Sequence, residues 1–178
     1  VSGIFETLED VDRVILLPSW IRDDKDFWIN QEQRGLLLQQ FHKDLLEQNL
    51  PIEIENYFFD WKNWGKTTTV QENKYFNEIY NIHPEFIYWS DVIPNITNWD
   101  GNIDRYIEKV LKKIFISRPG YDINPEEFEM ENYRIAHIKD IPHLSSSLAR
   151  ERIQVGQSVE WILDPSIIKL IQEHTLYQ

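Results

Sequence analysis

The 178 residues carry 30 Asp and Glu against 18 Lys and Arg, and the formal net charge of −12 argues against broad nucleic-acid binding. There is no cysteine, which excludes disulfides and thiolate metal sites and suits a reducing, cytoplasmic setting. No apolar run approaches the roughly 20 residues of a membrane span, no secretory leader pattern is visible, and the length fits one domain with a real core.

The pattern along the chain alternates between strand and helix. Residues 11–18 (VDRVILLP) form an apolar, β-branched run ended by proline, which predicts a buried strand. Residues 31–48 show helical spacing through Leu37, Leu38, Phe41, Leu45 and Leu46, and 51–59 alternate as a strand would. A helix is predicted over 70–82 and a strand over 85–90 (EFIYWS). A helical stripe of Ile103, Tyr106, Ile107, Val110 and Leu111 leads to a strand at 113–117 (KIFIS), and another strand follows at 133–138. Asp164 and Pro165 open the last helix as N-cap and first-turn proline. Strands separated by helices imply βαβ units and a mainly parallel sheet, with ligands outside the carboxyl ends of the strands. Lys25, Asp91, Arg118 and the segment Ser145 to Arg150 all follow predicted strands and are candidate ligand contacts.

The C-terminal part, 143–178, contains three consecutive serines, Ser145, Ser146 and Ser147, just before a helical pattern bearing Arg150 and Arg152. Serines cap free N–H groups at a helix start, where the dipole is positive. Hydroxyls, N–H groups and a guanidinium converging there suit a phosphate. The plain alternative is an ordinary N-cap, and Arg152 reads better as a solvated surface charge.

The ordered set of motifs resembles the bacterial nicotinate and nicotinamide mononucleotide adenylyltransferases, of the nucleotidyltransferase superfamily. Leu144-Ser145-Ser146-Ser147-Leu148-Ala149-Arg150 resembles that family's I-S-S-T-x-I-R, and Glu173-His174-Thr175-Leu176-Tyr177 its E-H-G-L-Y ending. Arg118-Pro119-Gly120-Tyr121 matches R-P-G-Y after a strand, and Asp91 with Trp99 matches an Asp…Trp pair at the same spacing. Thr67-Thr68-Thr69-Val70 is similar to S-Y-T-I, and Pro18 with Lys25 to a proline and lysine seven apart. The resemblance spans nearly the whole chain.

Two features depart from the family. Its signature G-G-x-F-D-P-x-H-x-G-H begins here as Val1-Ser2-Gly3-Ile4-Phe5, but Glu6 follows at once. Roughly 15 residues of the usual βαβ unit are absent. None of the five histidines stands in an H-x-G-H setting. A parallel crossover needs about a dozen residues, so folding logic favours a further encoded segment between Phe5 and Glu6 over true loss of the motif. The second departure is Trp89, where the family's G-x-D has glycine.

The resemblance implies a Rossmann-like α/β nucleotidyltransferase fold in a single domain, 1–178. It implies transfer of AMP from ATP to a pyridine mononucleotide, with Mg²⁺ arriving with ATP. Gly3, Phe5, Asp91, Arg118, Ser145, Ser146, Ser147 and Arg150 would contact ATP, Arg150 with a catalytic role. Lys25, Thr69 and Trp99 would contact the mononucleotide. Partners would be small molecules, with no nucleic acid and no membrane, and a homo-oligomer is compatible with the chain. The alternatives are a pantetheine-phosphate adenylyltransferase, which shares the fold, and a non-catalytic nucleotide-binding relative that lost the histidines.

Overall fold

The computed structural model describes residues 11–18, 28–59, 68–96, 106–107, 109–117, 124–137 and 145–177. These gather into two compact units. One comprises the described residues between 68 and 137, the other those before 60 and after 144. The fold is α/β, and every strand pair among the described residues is parallel.

In the second unit, β1 (Val14–Leu16) pairs with β2 (Ile52–Ile54), with Val14 opposite Ile52. Between them runs α1 (Gln31–Glu47), opened by a reciprocal capping box in which Asn30 and Gln33 each bond the other's backbone N–H. The predicted strand over 51–59 is cut short, because Tyr57–Phe59 turn into a 3₁₀ element. On α1, Leu45 is buried but its neighbour Leu46 is exposed, since adjacent helical positions point about 100° apart and only one faces the core. Among the described residues this unit also contains α4 (Ser146–Gln154) and α5 (Pro165–Glu173). Asp164 occupies the N-cap of α5 with extended backbone, but its side chain makes no capping bond there. Ser166 at the start of α5 instead donates to Asp44 of α1 at 2.5 Å. Ile29, Ile171 and Leu176 form the buried cluster of this unit, with Leu37, Ile153, Ile167 and Tyr177 packed on it.

The first unit is built on β3 (Phe86–Trp89), β4 (Lys113–Ser117) and β5 (Tyr133–His137), in the order β3-β4-β5. Its central strand, β4, is buried from Lys113 to Ile116, as expected for a continuous apolar run covered on both faces. Phe115 packs with Ile93, Ile96 and Met130, where Ile93 and Ile96 bound the single helical turn α3 (Ile93–Ile96). Phe86, Ile107 and Leu111 form a separate cluster. The helix α2 (Thr69–Tyr80) starts with a Thr68–Gln71 capping box and ends at Asn81, whose φ of 53° is the left-handed C-cap conformation that asparagine tolerates. Among the described residues the strands pair as β1-β2 and β3-β4-β5, parallel throughout, in agreement with the mainly parallel sheet expected from the sequence.

Lys113 is 1% exposed, the least expected occupant of this core. Its ammonium donates to the backbone carbonyls of Ile107, Leu111 and Glu131. Glu72, in the first turn of α2, is also largely buried, and desolvation pushes its carboxyl from an ordinary 4.5 up to about 7. The native state therefore binds more protons than the unfolded chain between those values, and stability falls as pH rises from about 4.5 to about 7. We expect Glu72→Gln to gain roughly 2 kcal/mol over the wild type at pH 8 and little at pH 4.5. Urea denaturation of both proteins at the two pH values measures this. An equal difference at both would contradict it.

Candidate active site

The serine segment forms the N-terminus of α4. Ser145 is the N-cap, with extended backbone, and its Oγ accepts the Leu148 N–H at 3.1 Å. Capping and anion binding are compatible here, because the hydroxyl proton of Ser145 is not used by the cap. Ser146 and Ser147 occupy the first turn and are exposed, while Ala149 is buried and anchors the inner side of the helix.

Arg150 lies one turn further along. It donates from Nη2 to Ser147 Oγ at 3.2 Å, and its guanidinium sits 5.4 Å from the ring centroid of Trp28. Its Nε is buried and makes no hydrogen bond. The Tyr177 phenol is electrostatically coupled to both Arg150 and Arg34. Burial raises its pKa, and the two arginines oppose that rise. Arg34, half-buried, donates to Gln31 at 2.9 Å and packs over Phe59. Desolvation lowers its pKa, though from so high a starting value that it stays charged. The second unit therefore assembles Ser145, Ser147, Arg150, Trp28, Tyr177 and Arg34. Arg152 stays at the surface, where its Nε donates to Ser158 O at 2.8 Å and it packs over the exposed Trp161.

Asp91 and Thr69 belong to the first unit. Asp91 stands in a 3₁₀ turn (Ser90–Val92) directly after β3, where a parallel sheet presents ligand contacts. Thr69 is buried, and its Oγ1 accepts from the Tyr88 hydroxyl at 3.1 Å. Trp89 is 41% exposed, so its bulk is carried outside the core rather than wedged into it. Gly3, Phe5, Lys25, Trp99 and Arg118 lie outside the described residues, as does the Phe5–Glu6 junction.

A cavity of about 150 Å³ lined by Gly35, His42, Ile54 and Phe59 among others contains none of the candidate residues. It falls below the roughly 300 Å³ that small-molecule sites usually begin at.

No model of a known protein family matches the chain. Individual relatives do. A probable nicotinate-nucleotide adenylyltransferase of Clostridium perfringens (strain SM101) is 26% identical over 177 residues, covering 95% of this chain and 85% of that protein. Proteins of the same name from Clostridium tetani and Oceanobacillus iheyensis are 29% and 30% identical, over 76% and 65% of this chain and 70% and 58% of their own lengths. Over most of its length the chain is similar to curated proteins named nicotinate-nucleotide adenylyltransferase. Among solved structures, Plasmodium falciparum nicotinic acid mononucleotide adenylyltransferase complexed with NaAD superposes with a TM-score of 0.78 at 19% identity, covering 98% of this chain and 87% of that one. The same enzyme complexed with APC gives a TM-score of 0.72 at 18% identity over the same shares. At those identities the match establishes the nucleotidyltransferase-like α/β fold, within which Asp91 and the α4 N-terminus have been placed.

Proposed function

We propose that this chain transfers AMP from ATP to nicotinate mononucleotide, releasing pyrophosphate and forming the nicotinate dinucleotide. The observation that carries the reading is the α4 N-terminus. There Ser145 caps the helix, Ser147 holds Arg150, and Arg150 keeps a buried Nε without a partner. The names of the curated relatives support the choice of acceptor. An oxygen of the mononucleotide phosphate attacks the ATP α-phosphorus in line. The bond from that phosphorus to the oxygen bridging the β-phosphate breaks, and pyrophosphate leaves. No covalent enzyme intermediate is needed, and catalysis rests on positioning and charge neutralisation.

In this reading Arg150 neutralises charge on the triphosphate, with Ser145, Ser146, Ser147 and the free N–H groups of α4 as further donors. Gly3, Phe5 and Arg118 complete the ATP contacts, and Asp91 accepts from ribose hydroxyls. Trp99 stacks on the pyridine ring, Thr69 holds its carboxylate, and Lys25 contacts phosphate. The chain, 1–178, acts in this reading as a single nucleotidyltransferase domain of a cytoplasmic enzyme. Among the described residues, no three His, Asp or Glu gather into a cage for a metal ion. Mg²⁺ would arrive with ATP, held by triphosphate oxygens and water, and would neutralise the leaving pyrophosphate.

The acceptor assignment is tested by assaying nicotinate mononucleotide, nicotinamide mononucleotide and phosphopantetheine side by side with ATP. The pyridine mononucleotides should be preferred. Equal use of phosphopantetheine would refute the assignment. No described helix is long and apolar enough to cross a membrane.

A further inference from the structure

Trp28 has a backbone φ of 59°, a left-handed conformation that costs a bulky residue energy. Its surroundings hold it there. Ile29, the next residue, is buried in the cluster with Ile171 and Leu176, and Asn30 after it is locked into the capping box of α1. The ring is nevertheless 40% exposed, so this geometry is not forced by the need to bury an indole. What the ring meets is the Arg150 guanidinium, 5.4 Å away. Ser147 takes one of that guanidinium's terminal nitrogens at 3.2 Å, and its Nε is sealed without a partner.

We propose that Trp28 is a positioning residue for Arg150: its ring fixes the plane of the guanidinium and directs the remaining N–H donors to a polyphosphate at the α4 N-terminus. This rests on the nucleotide reading above, and deepens it by naming the residue that sets the arginine's geometry. A stacked guanidinium loses its rotational freedom before the ligand arrives, so fewer conformations are given up on binding. The strained backbone at Trp28 is the device that brings the ring to the arginine from outside α4.

The test uses the full chain with Trp28→Gly and Trp28→Phe. Glycine accepts the left-handed backbone freely, so it removes the ring while relieving strain, and the variant should melt within a few degrees of the wild type. A merely structural role predicts that affinity follows stability. The positioning role predicts that Trp28→Gly raises the ATP dissociation constant and KM about 3- to 10-fold with kcat little changed, and that Trp28→Phe restores both to within about twofold. ATP binding is read by calorimetry without acceptor. Turnover is read as pyrophosphate release, and the Arg150 Nε–H resonance is followed by NMR in each protein. Equal ATP affinity in wild type and Trp28→Gly, with the Arg150 resonance unmoved, would overturn the proposal even where dinucleotide is formed. Conversely, Trp28-dependent ATP binding without dinucleotide would refute the assignment of nicotinate mononucleotide as the adenylyl acceptor and leave the positioning role standing.

Discussion

Arg150→Ala is expected to lower kcat/KM for ATP about 10²- to 10³-fold while the protein stays folded. One preorganised donor aimed at developing charge contributes about that much to a transition state. Arg150 is better placed than a neutral donor, because it carries formal charge beside a helix N-terminus and is held by Ser147 and Trp28. The structural cost of losing it is small, since the Ser147 bond is exposed and an exposed cation–π contact contributes only about 0.5–1 kcal/mol. Arg150→Lys keeps the charge but loses the planar fork, and should fall between wild type and alanine. Steady-state kinetics with a parallel thermal melt separates the two effects. A loss below about threefold would remove Arg150 from the catalytic centre.

Lys113→Met is expected to lower stability by about 3 kcal/mol. Methionine fits the volume, but the buried carbonyls of Ile107 and Leu111 and the partly buried one of Glu131 would lose this donor. Each unsatisfied group costs roughly 1–3 kcal/mol, and relief from burying the ammonium offsets part of the sum. For a protein of this size, that is a fall in Tm of about 6–12 °C. The ammonium ties the residues ahead of β4 to those ahead of β5, so it sets the start of the central strand. Calorimetry on the two proteins decides the matter, and an unchanged or raised Tm would show that the carbonyls find water or other donors.

The parts of the fold legible in the sequence were those with strong local signals. KIFIS read as a buried strand because its apolar run is unbroken, and it occupies Lys113–Ser117. The helix at Gln31–Glu47 followed from its leucine spacing, and that of α4 from the serines at its start. Less was legible where tertiary context decides. Alternation over 51–59 could not show that Tyr57–Phe59 would turn away, nor could the pattern tell Leu45 from Leu46 as the inward residue. Lys113 and Glu72 carry no sequence mark of burial, because their satisfaction or desolvation is supplied by residues distant in the chain. Trp28 was invisible for a different reason: nothing in a tryptophan announces a positive φ. Of the expected site, the motif Ser145 to Arg150 was readable because cap chemistry and charge coincide in one short segment. Its supports, Trp28, Arg34 and Tyr177, come from far along the chain.

The most direct test of the central claim follows the phosphate itself. Nicotinate mononucleotide labelled with ¹⁸O in its phosphate is incubated with ATP, Mg²⁺ and the protein, and the products are read by ³¹P NMR. The account predicts dinucleotide and pyrophosphate in equal amounts, with label in the bridging oxygen of the dinucleotide and none in pyrophosphate. Dinucleotide lacking bridging label, or no dinucleotide at all, would contradict it.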